Sequence, residues 1–384
     1  MICSANKSRT APIAVLCLAQ WMVFAADSPA PTVALRTLSL ADAQRTAFAR
    51  NWDLLAAKSD VDAAIAQRIV AKEFPNPTLS VSTSKISVDQ SNATTAGNAP
   101  WNRSYDNIIA VSQLFEIGGK RATRRDSARA GVFAAEARLR DARRTLDQAV
   151  AKAYVAAVQA RANAEVLNQS AASLRKEAKI AEIRFKAGEI SAADRAQIEI
   201  AADRFEQDAL AAAAAEKAAR IAVDVLIAEP SAAGDWLPGD SLEALAVSPF
   251  PRNVESPGTS IRPDIAAAQA AVSKAQADLR LQHAMRVPDP TVSLQYEREQ
   301  PDKPNTVGIA ISLPLPLWNR NSGNIAAAKA ALDSARNAEA KIRAQAAADI
   351  TAARVAFEEA STRLERYRSQ IRPKSEQVRK TVAF

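Results

Sequence analysis

Few residues in this sequence have the types and spacing that catalysis or metal binding requires. The 384 residues include two cysteines, Cys3 and Cys17, and one histidine, His283. A zinc site needs about three or four donor side chains, so a lone histidine on a predicted helix is more typical of an ordinary surface position. The sequence contains no phosphate-binding loop and no dinucleotide fingerprint. It therefore predicts a protein that is not an enzyme and holds no cofactor or metal site, and whose function comes from its shape.

The charge pattern also argues against nucleic acid as a partner. The formal net charge is +8, from 50 basic and 42 acidic side chains. The basic residues alternate with acidic ones along predicted helices, without the interleaved aromatic residues or motifs of nucleic-acid-binding proteins. Solvated helix faces explain this pattern, and we expect no nucleic-acid partner.

The N-terminal residues 1–25 have the pattern of a secretory signal peptide. Lys7 and Arg9 precede an apolar stretch, and Val23–Ala25 has side chains that suit signal peptidase. An uncleaved anchor is the alternative, but the apolar stretch is shorter than the roughly 20 residues that span a bilayer. Lipidation at Cys17 is a further alternative, although the preceding residues fit a lipoprotein signal poorly. Cleavage after residue 25 would remove both cysteines.

One supersecondary unit occurs twice in the chain. Ile108–Ala130 is repeated in register as Gly308–Ala330, and Pro75–Val81 is repeated as Pro288–Leu294. Each copy begins with alternating apolar and polar residues and then, after a Gly, Pro or Asn break, takes on helical spacing. The unit is helix, strand, polar loop, strand and long helix, and its two copies indicate an internal duplication.

The duplication sets the domain boundaries. We predict a first repeat at residues 26–228, a connecting segment at 229–262 and a second repeat at 263–384. The predicted strands are 78–88, 104–117, 291–299 and 306–317, and the helices that follow them are 120–186, 192–228 and 322–384. The first helix is predicted at Leu38–Lys72 with Ser39 as its N-cap, and Pro373 is expected to kink the last helix.

The four predicted strands share one apolar face. Its residues are Leu79, Val81, Ile109, Val111, Val292, Leu294, Ile309 and Ile311. Strands of this length suit either a bilayer or a half-buried soluble sheet. Four strands cannot close a barrel, and open edges are not tolerated in lipid, so a membrane sheet would need strands from several copies. Aromatic residues at or near the strand ends favour the membrane: Trp101, Tyr105, Tyr296 and Trp318.

A long helical hairpin follows the first strand pair. The helix at 120–186 lacks proline and would extend about 100 Å at ~1.5 Å per residue. Its seven-residue pattern predicts a coiled-coil seam, with alanine on one side at Ala135, Ala142, Ala149 and Ala156. Gly188 can adopt positive φ in the turn, and Ser191 can cap the returning helix.

Several motifs resemble those of TolC-like outer-membrane efflux proteins, a family that the duplication also suggests. They are the Pro-Asn/Asp-Pro entry to each first strand, Phe115–Arg121, Ser312–Asn321 and Arg262–Asp264. The resemblance covers nearly the whole mature chain. It is strongest to the branch that serves heavy-metal resistance pumps for cobalt, zinc, cadmium or nickel.

The resemblance implies a mainly α fold with a β-barrel part. Three copies would form one twelve-stranded outer-membrane barrel, continued by an α-helical coiled-coil tunnel through the periplasm. The homotrimer would meet a periplasmic adaptor and an inner-membrane proton-driven pump of the RND type, with divalent cations as transient cargo. The tip hairpin or gate would contain Gly188, Ser191 and Asp194. The strand-to-helix junctions would contain Gly118, Gly119, Asn319 and Gly323.

Two other functions remain open from the residues. One is a related conduit for drugs or secreted proteins, because a pore wall does not reveal its cargo. The other is an exported coiled-coil scaffold or adaptor, which accounts for the long helices but not for the two strand pairs.

The end of the sequence leads to a separate expectation. Alignment of the two repeats places Phe384 level with Phe185, just before the first tip hairpin. The second repeat would then lack its hairpin and return helix, which predicts a truncated chain. Reading the gene beyond codon 384 in all three frames tests this expectation.

Overall fold

A computed structural model describes residues 36–86, 104–246, 262–299 and 305–382. The predicted signal peptide at 1–25, Trp101, the ring of Tyr105 and the terminal Phe384 lie outside the residues so described. The expectations that concern them stay predictions.

The described chain consists mainly of helices. They are α1 (Leu40–Arg50), α2 (Trp52–Val70), α3 (Lys120–Lys186), α4 (Ala192–Leu226), α5 (Leu242–Ala246), α6 (Pro263–Ala284), α7 (Ser322–Arg366) and α8 (Arg372–Val382). The strands are β1 (Arg36–Leu38), β2 (Thr78–Ile86), β3 (Ser104–Leu114), β4 (Trp236–Pro238), β5 (Thr291–Glu299) and β6 (Thr306–Ser312).

The strands form two sheets of different kinds. The larger sheet is antiparallel in the order β2-β3-β5-β6, so the hairpins of the two repeats lie side by side. Both hairpins have the same register, since Thr78 is opposite Ser112 in one and Thr291 is opposite Ser312 in the other. In the smaller sheet, β1 and β4 pair in parallel.

The long helix α3 organises the helical part. It packs against α1, α2, α4 and α6, whereas α7 packs against α6. At the middle of α3, Tyr154 is fully buried and stacks on Trp236, with ring centroids 6.0 Å apart. Residues of α1, α4 and β1 complete this core, among them Ala43, Ala47, Val223, Ile227 and Leu38.

The coiled-coil seam between α3 and α4 is lined by alanine. Buried alanines of α3 continue from Ala157 of the core at spacings of seven residues, at Ala164, Ala171 and Ala178, and those of α4 include Ala202 and Ala209. The small side chains let the two helices approach closely. The predicted seam is wrong by one position here, because Ala156 is exposed.

The first predicted helix, Leu38–Lys72, is wrong as a single element. Leu38 belongs to β1, and Asn51 separates α1 from α2. Asn51 has φ −56° and ψ 126°, which ends α1, and its side chain accepts a hydrogen bond from the Leu54 N–H at 3.1 Å. Its Nδ2 donates to the Leu226 carbonyl at 3.0 Å. This contact with α4 stabilises the break between α1 and α2. The periodicity of the sequence does not reveal the contact.

Proline accounts for two further differences in element bounds. β6 ends at Ser312 rather than at residue 317, since Pro314 and Pro316 have no N–H to continue the ladder. In the last predicted helix, a π-helical turn at Tyr367–Ile371 ends two residues before Pro373, whose ring would clash with the carbonyl four residues earlier. β3 also ends early, at Leu114 rather than at residue 117.

Candidate channel-forming surfaces

One face of the four-stranded sheet is apolar. Directly opposed residues of an antiparallel pair lie on the same face, and the register aligns Leu79 with Val111, Leu294 and Ile309 across all four strands. The other four predicted members of this face, Val81, Ile109, Val292 and Ile311, occupy the same face in neighbouring rows. Ile309 and Ile311 are 76% and 73% exposed, so this face has no cover within the described chain.

The opposite face consists mainly of small and polar residues, with Ile108 and Leu114 as apolar members. One row across the four strands on this face consists of Ser80, Ala110, Gln295 and Gly308. The hydroxyl oxygens of Ser112 and Ser293 lie 2.8 Å apart and join β3 to β5 by a hydrogen bond. A sheet with one apolar and one polar face can separate lipid from water.

The first strand-to-helix junction is closed by contacts between the repeats. Gly118 and Gly119 have φ of 69° and 73°, values that favour glycine. A Cβ at Gly118 would lie 2.8 Å from the Val287 Cβ. Lys120, only 7% exposed, forms an ion pair of 2.6 Å with Asp289, and Asp289 also accepts from the Ile117 N–H.

A second ion pair secures the start of α3. Arg124 donates to Glu116 through both terminal nitrogens, one bond being 2.9 Å long, and also reaches the Glu73 carbonyl at 3.1 Å. The bond to Glu116 raises the pKa of the Arg124 guanidinium. These contacts join the end of β3, the start of α3 and the segment after α2.

At the second strand-to-helix junction, an asparagine takes the left-handed backbone conformation. Asn321 has φ 59°, its N–H donates to Asn319 Oδ1 at 3.0 Å, and its Nδ2 donates to the Gln282 carbonyl at 2.8 Å. Asparagine tolerates this left-handed conformation better than most residues. The prediction had named Asn319 and Gly323; Gly323 lies in the first turn of α7, with open space around it. The sequence analysis missed Asn321, Lys120 and Asp289 as junction residues.

The tip hairpin joins α3 to α4. Gly188 has φ 80°, and Ser191 caps α4 by accepting from the Asp194 N–H at 3.1 Å. The Asp194 carboxylate accepts from the Ser191 backbone N–H at 3.3 Å, which completes a capping box, and also from the Ser191 hydroxyl at 2.7 Å. Asp194 thus stabilises the start of α4, and its role in closing an entrance stays a prediction.

Charged pairs hold the two helices together near the tip. Arg195 of α4 lies over the Phe185 ring at 4.7 Å and pairs with Glu182 at 3.1 Å. Further from the tip, Arg175 of α3 pairs with Glu206 of α4 and lowers the pKa of that carboxyl. These contacts between neighbouring helices are still partly exposed to solvent, so each contributes modestly.

The Arg262–Asp264 motif lies where α6 begins. The Arg262 guanidinium donates to Asp264 at 2.6 Å and to the Ala346 carbonyl of α7 at 3.3 Å. It holds the pKa of the Asp264 carboxyl below its usual value. The motif therefore starts α6 and attaches it to α7.

Two findings concern metals and membrane helices. Within residues 36–86, 104–246, 262–299 and 305–382, no group of three or more His, Cys, Asp or Glu side chains could hold a metal ion. In the same ranges, no helix combines the length and the apolar character that crossing a membrane requires. His283 is exposed near the end of α6.

A two-faced sheet joined to a long helical hairpin is the architecture of an outer-membrane channel subunit, and comparison with known proteins agrees. The family model described as "Outer membrane efflux protein" matches residues 44–229 and 260–381. The chain therefore belongs to the outer membrane efflux protein family, whose members are channels rather than enzymes. The resemblance inferred from the motifs is confirmed.

Individual relatives include a heavy-metal resistance protein. The chain is 26% identical over 307 residues to the cobalt-zinc-cadmium resistance protein CzcC of Cupriavidus metallidurans, with 80% of this chain and 70% of that protein covered. A membrane protein from Pseudomonas aeruginosa has the same fold with a TM-score of 0.70 and 20% identity, over 90% of this chain and 83% of its own. The open-state MtrE channel of Neisseria gonorrhoeae gives 0.69 and 21%, over 90% and 78%.

Proposed function

We propose that this chain is the outer-membrane channel of a tripartite efflux system in a Gram-negative bacterium. Three copies would pool their strands into a twelve-stranded barrel in outer-membrane lipid. Their long helices would form a tunnel through the periplasm to an adaptor and an inner-membrane RND pump. Divalent heavy-metal cations, namely nickel, cobalt, cadmium or zinc, would pass through as cargo.

The observation that carries this proposal is the exposed apolar face of a sheet with two free edges. The outer strands β2 and β6 have no further strand partner among the described residues. In lipid, each unpaired backbone group costs several kcal/mol, so such a sheet is stable only in a closed barrel. Further copies of the same chain would supply the strands that pair with β2 and β6.

The tip hairpin is proposed as the periplasmic end of the tunnel. The hairpin lies at the far end of α3 from the sheet, about 100 Å along a helix of 67 residues. Gly188 and Ser191 fix its turn, and Asp194 places a carboxylate at the surface. We assign contact with the adaptor and closure of the entrance to this hairpin.

The metal cargo is supported by the likeness to CzcC. Expression of this chain in its own bacterium, deleted for the gene but retaining pump and adaptor, tests the assignment. We expect tolerance to at least one of cobalt, zinc, cadmium or nickel to return. Restored tolerance to drugs without any change in metal tolerance would contradict the metal assignment and favour the alternative cargo.

Selection among metals is assigned to the pump. His and Cys supply most high-affinity sites for zinc and nickel, and this chain offers one exposed histidine outside its predicted signal peptide. Calorimetric titration of the purified channel with zinc or nickel should show no tight stoichiometric binding. His283→Ala should leave metal tolerance unchanged, and a fall in tolerance would contradict this assignment.

A further inference from the structure

The inner seam of the sheet, which is the pairing of β3 with β5, provides a template for its two outer edges. Ser112 is opposite Ser293 at this seam, with their hydroxyl oxygens 2.8 Å apart. Beyond the paired residues, the Phe115 N–H donates to the Pro290 carbonyl at 2.9 Å. Phe115 and Pro290 are therefore a hydrogen-bonded pair, and Ser112 and Ser293, three steps along, are a non-hydrogen-bonded pair.

The duplication gives every residue of the inner seam a counterpart on an outer edge. β6 corresponds to β3 and β2 corresponds to β5, because Thr78 opposite Ser112 repeats as Thr291 opposite Ser312. The counterparts of Ser112 and Ser293 are then Ser312 and Ser80. Both counterparts are serine, and both lie on strands that have a free edge.

Prolines near the end of β6 occupy positions where this pairing needs no donor. At the inner seam Phe115 donates towards β5, so the N–H groups of Leu114 and Glu116 point away from the seam. The counterparts of these two residues are Pro314 and Pro316. The alternation of proline and leucine thus keeps the N–H groups of the leucines, Leu313 and Leu315, available on the outer edge.

The apolar face also matches across the two outer edges. In the transferred register, Ile311 is opposite Val81, and Leu313 is opposite Leu79. All four side chains are exposed in the isolated chain. A slip by one residue would place apolar side chains beside polar ones on both faces.

On the outer edges, the junctions add an aromatic pair and a polar pair. At the inner seam, Gly118 lies against Val287. Their counterparts are Trp318, which is 93% exposed, and Phe74, which is 68% exposed. The inner ion pair of Lys120 with Asp289 corresponds to Arg320 and Asn76, so the outer pair has a cation and a carboxamide.

We infer that β6 pairs with β2 of a second copy of this chain in the register of the inner seam. Ser312 then lies opposite the partner subunit's Ser80, and Trp318 packs against the partner subunit's Phe74. Arg320 donates to the side-chain oxygen of the partner subunit's Asn76. The inference rests on the proposed oligomeric barrel and adds its subunit contacts.

Disulfide cross-linking tests the register. Non-hydrogen-bonded pairs have Cα atoms about 4.5 Å apart, which suits a disulfide. With Cys3 and Cys17 replaced by serine, a chain carrying Ser80→Cys and Ser312→Cys should form covalent dimers and trimers when outer membranes are oxidised. The control pair, Ser82→Cys with Ser312→Cys, lies on the same face but about 7–8 Å apart, beyond disulfide reach. Either cysteine alone should form none of these products.

The outcomes separate this inference from the proposed function. Trimers that cross-link through the control pair, or through neither pair, overturn the register and leave the proposed barrel intact. A chain that is monomeric in detergent overturns both.

A charge change tests the junction contact independently. Asn76→Asp supplies the carboxylate that the inner seam already has, so the temperature at which the oligomer dissociates should rise. The rise should be absent in the Arg320→Gln background. An unchanged or lower dissociation temperature when Arg320 is present would contradict the contact.

Discussion

The same strand-to-helix junction occurs twice in this chain, and within a single copy its surroundings differ. At the first junction, Lys120 is buried and paired with Asp289 from the other repeat. At the second, Arg320 and Trp318 are exposed. Both copies use a residue in the left-handed conformation to redirect the chain, glycine in one and asparagine in the other. The repeated sequence specifies the backbone turn, whereas the neighbouring element decides which side chains are buried.

The long helices that start at these junctions show the same contrast. Tyr154 of α3 is buried against β1 and β4, but the corresponding residue of α7, Arg354, is exposed. All of residues 351–381 are exposed in the isolated chain. Equivalent positions in a duplicated chain therefore have unequal effects on stability, which mutations can measure.

The largest expected difference is between the two basic junction residues. Lys120→Met leaves the largely buried Asp289 carboxylate without its cation, which typically costs about 3–5 kcal/mol of unfolding free energy. Arg320→Met at the exposed counterpart should cost less than about 1 kcal/mol. Urea titrations of the detergent-solubilised variants, followed by circular dichroism, measure both values. Equal losses would show that the two junctions do not differ as described.

Within the strands, by contrast, the repeats should behave alike. Ile311→Arg and Val111→Arg place a charge on the same apolar face, and each should cost roughly 2–4 kcal/mol if that face meets the bilayer midplane. Gln295→Arg and Ser312→Arg, both on the opposite face, should be milder. Folding into lipid vesicles at increasing urea concentration measures the difference. A larger cost on the polar face would reverse the assignment of lipid and lumen.

Alanine substitutions at the two glycines of the first junction distinguish backbone strain from steric crowding. Gly119→Ala meets open space, so only its φ of 73° opposes the change, at about 1–2 kcal/mol. Gly118→Ala has the same strain and also brings a Cβ within 2.8 Å of the Val287 Cβ. Overpacking typically adds ~1–3 kcal/mol. Thermal unfolding of both variants measures the difference between their losses of stability. If Gly119→Ala were the more destabilising, the contact with Val287 would not restrict the junction.

The smallest effect concerns Tyr154 and pH. Its hydroxyl lies 2.7 Å from the Leu38 carbonyl and 2.8 Å from Asp240 Oδ2, and burial, followed by the bond to Asp240, raises its pKa to about 12. Tyr154→Phe should cost roughly 1–3 kcal/mol at neutral pH. Because the folded state favours the protonated hydroxyl, its stabilisation is complete below about pH 10 and lost as pH rises towards 12.

Unfolding of the wild-type and Tyr154→Phe proteins at pH 8 and pH 11.5 measures this effect. The difference between them should shrink at the higher pH. Arg354→Gln in the second repeat provides the control and should change stability little at either pH. A difference that grew with pH would contradict the assigned bonds.

Local sequence signals predicted the long elements well. The absence of proline, with Gly118 and Gly119 before the helix and Gly188 after it, predicted a helix over 120–186, and α3 spans those residues. Alternation likewise predicted which strand residues share a face. These features depend on neighbours within a few residues, for which periodicity and turn chemistry carry the information.

Contacts between distant segments could not be predicted in this way. The ion pair of Lys120 with Asp289 requires β3 and β5 to be adjacent, although a long stretch of chain separates them. The break at Asn51 depends on a bond to Leu226 of α4. β1 and β4 have only three residues each, too few for a periodic pattern. The duplication did carry a signal for Asp289 as a junction residue, because Asp289 aligns with Asn76 in the repeated Pro-Asn/Asp-Pro motif.

The oligomeric state of the purified protein is the most direct test of the proposed channel. Native mass spectrometry of the chain, extracted from outer membranes in detergent, measures the number of copies per particle. We expect three copies, in a particle that precipitates when detergent is removed, since the apolar face of the barrel would be exposed to water. A monomer that stays dissolved without detergent would contradict the channel.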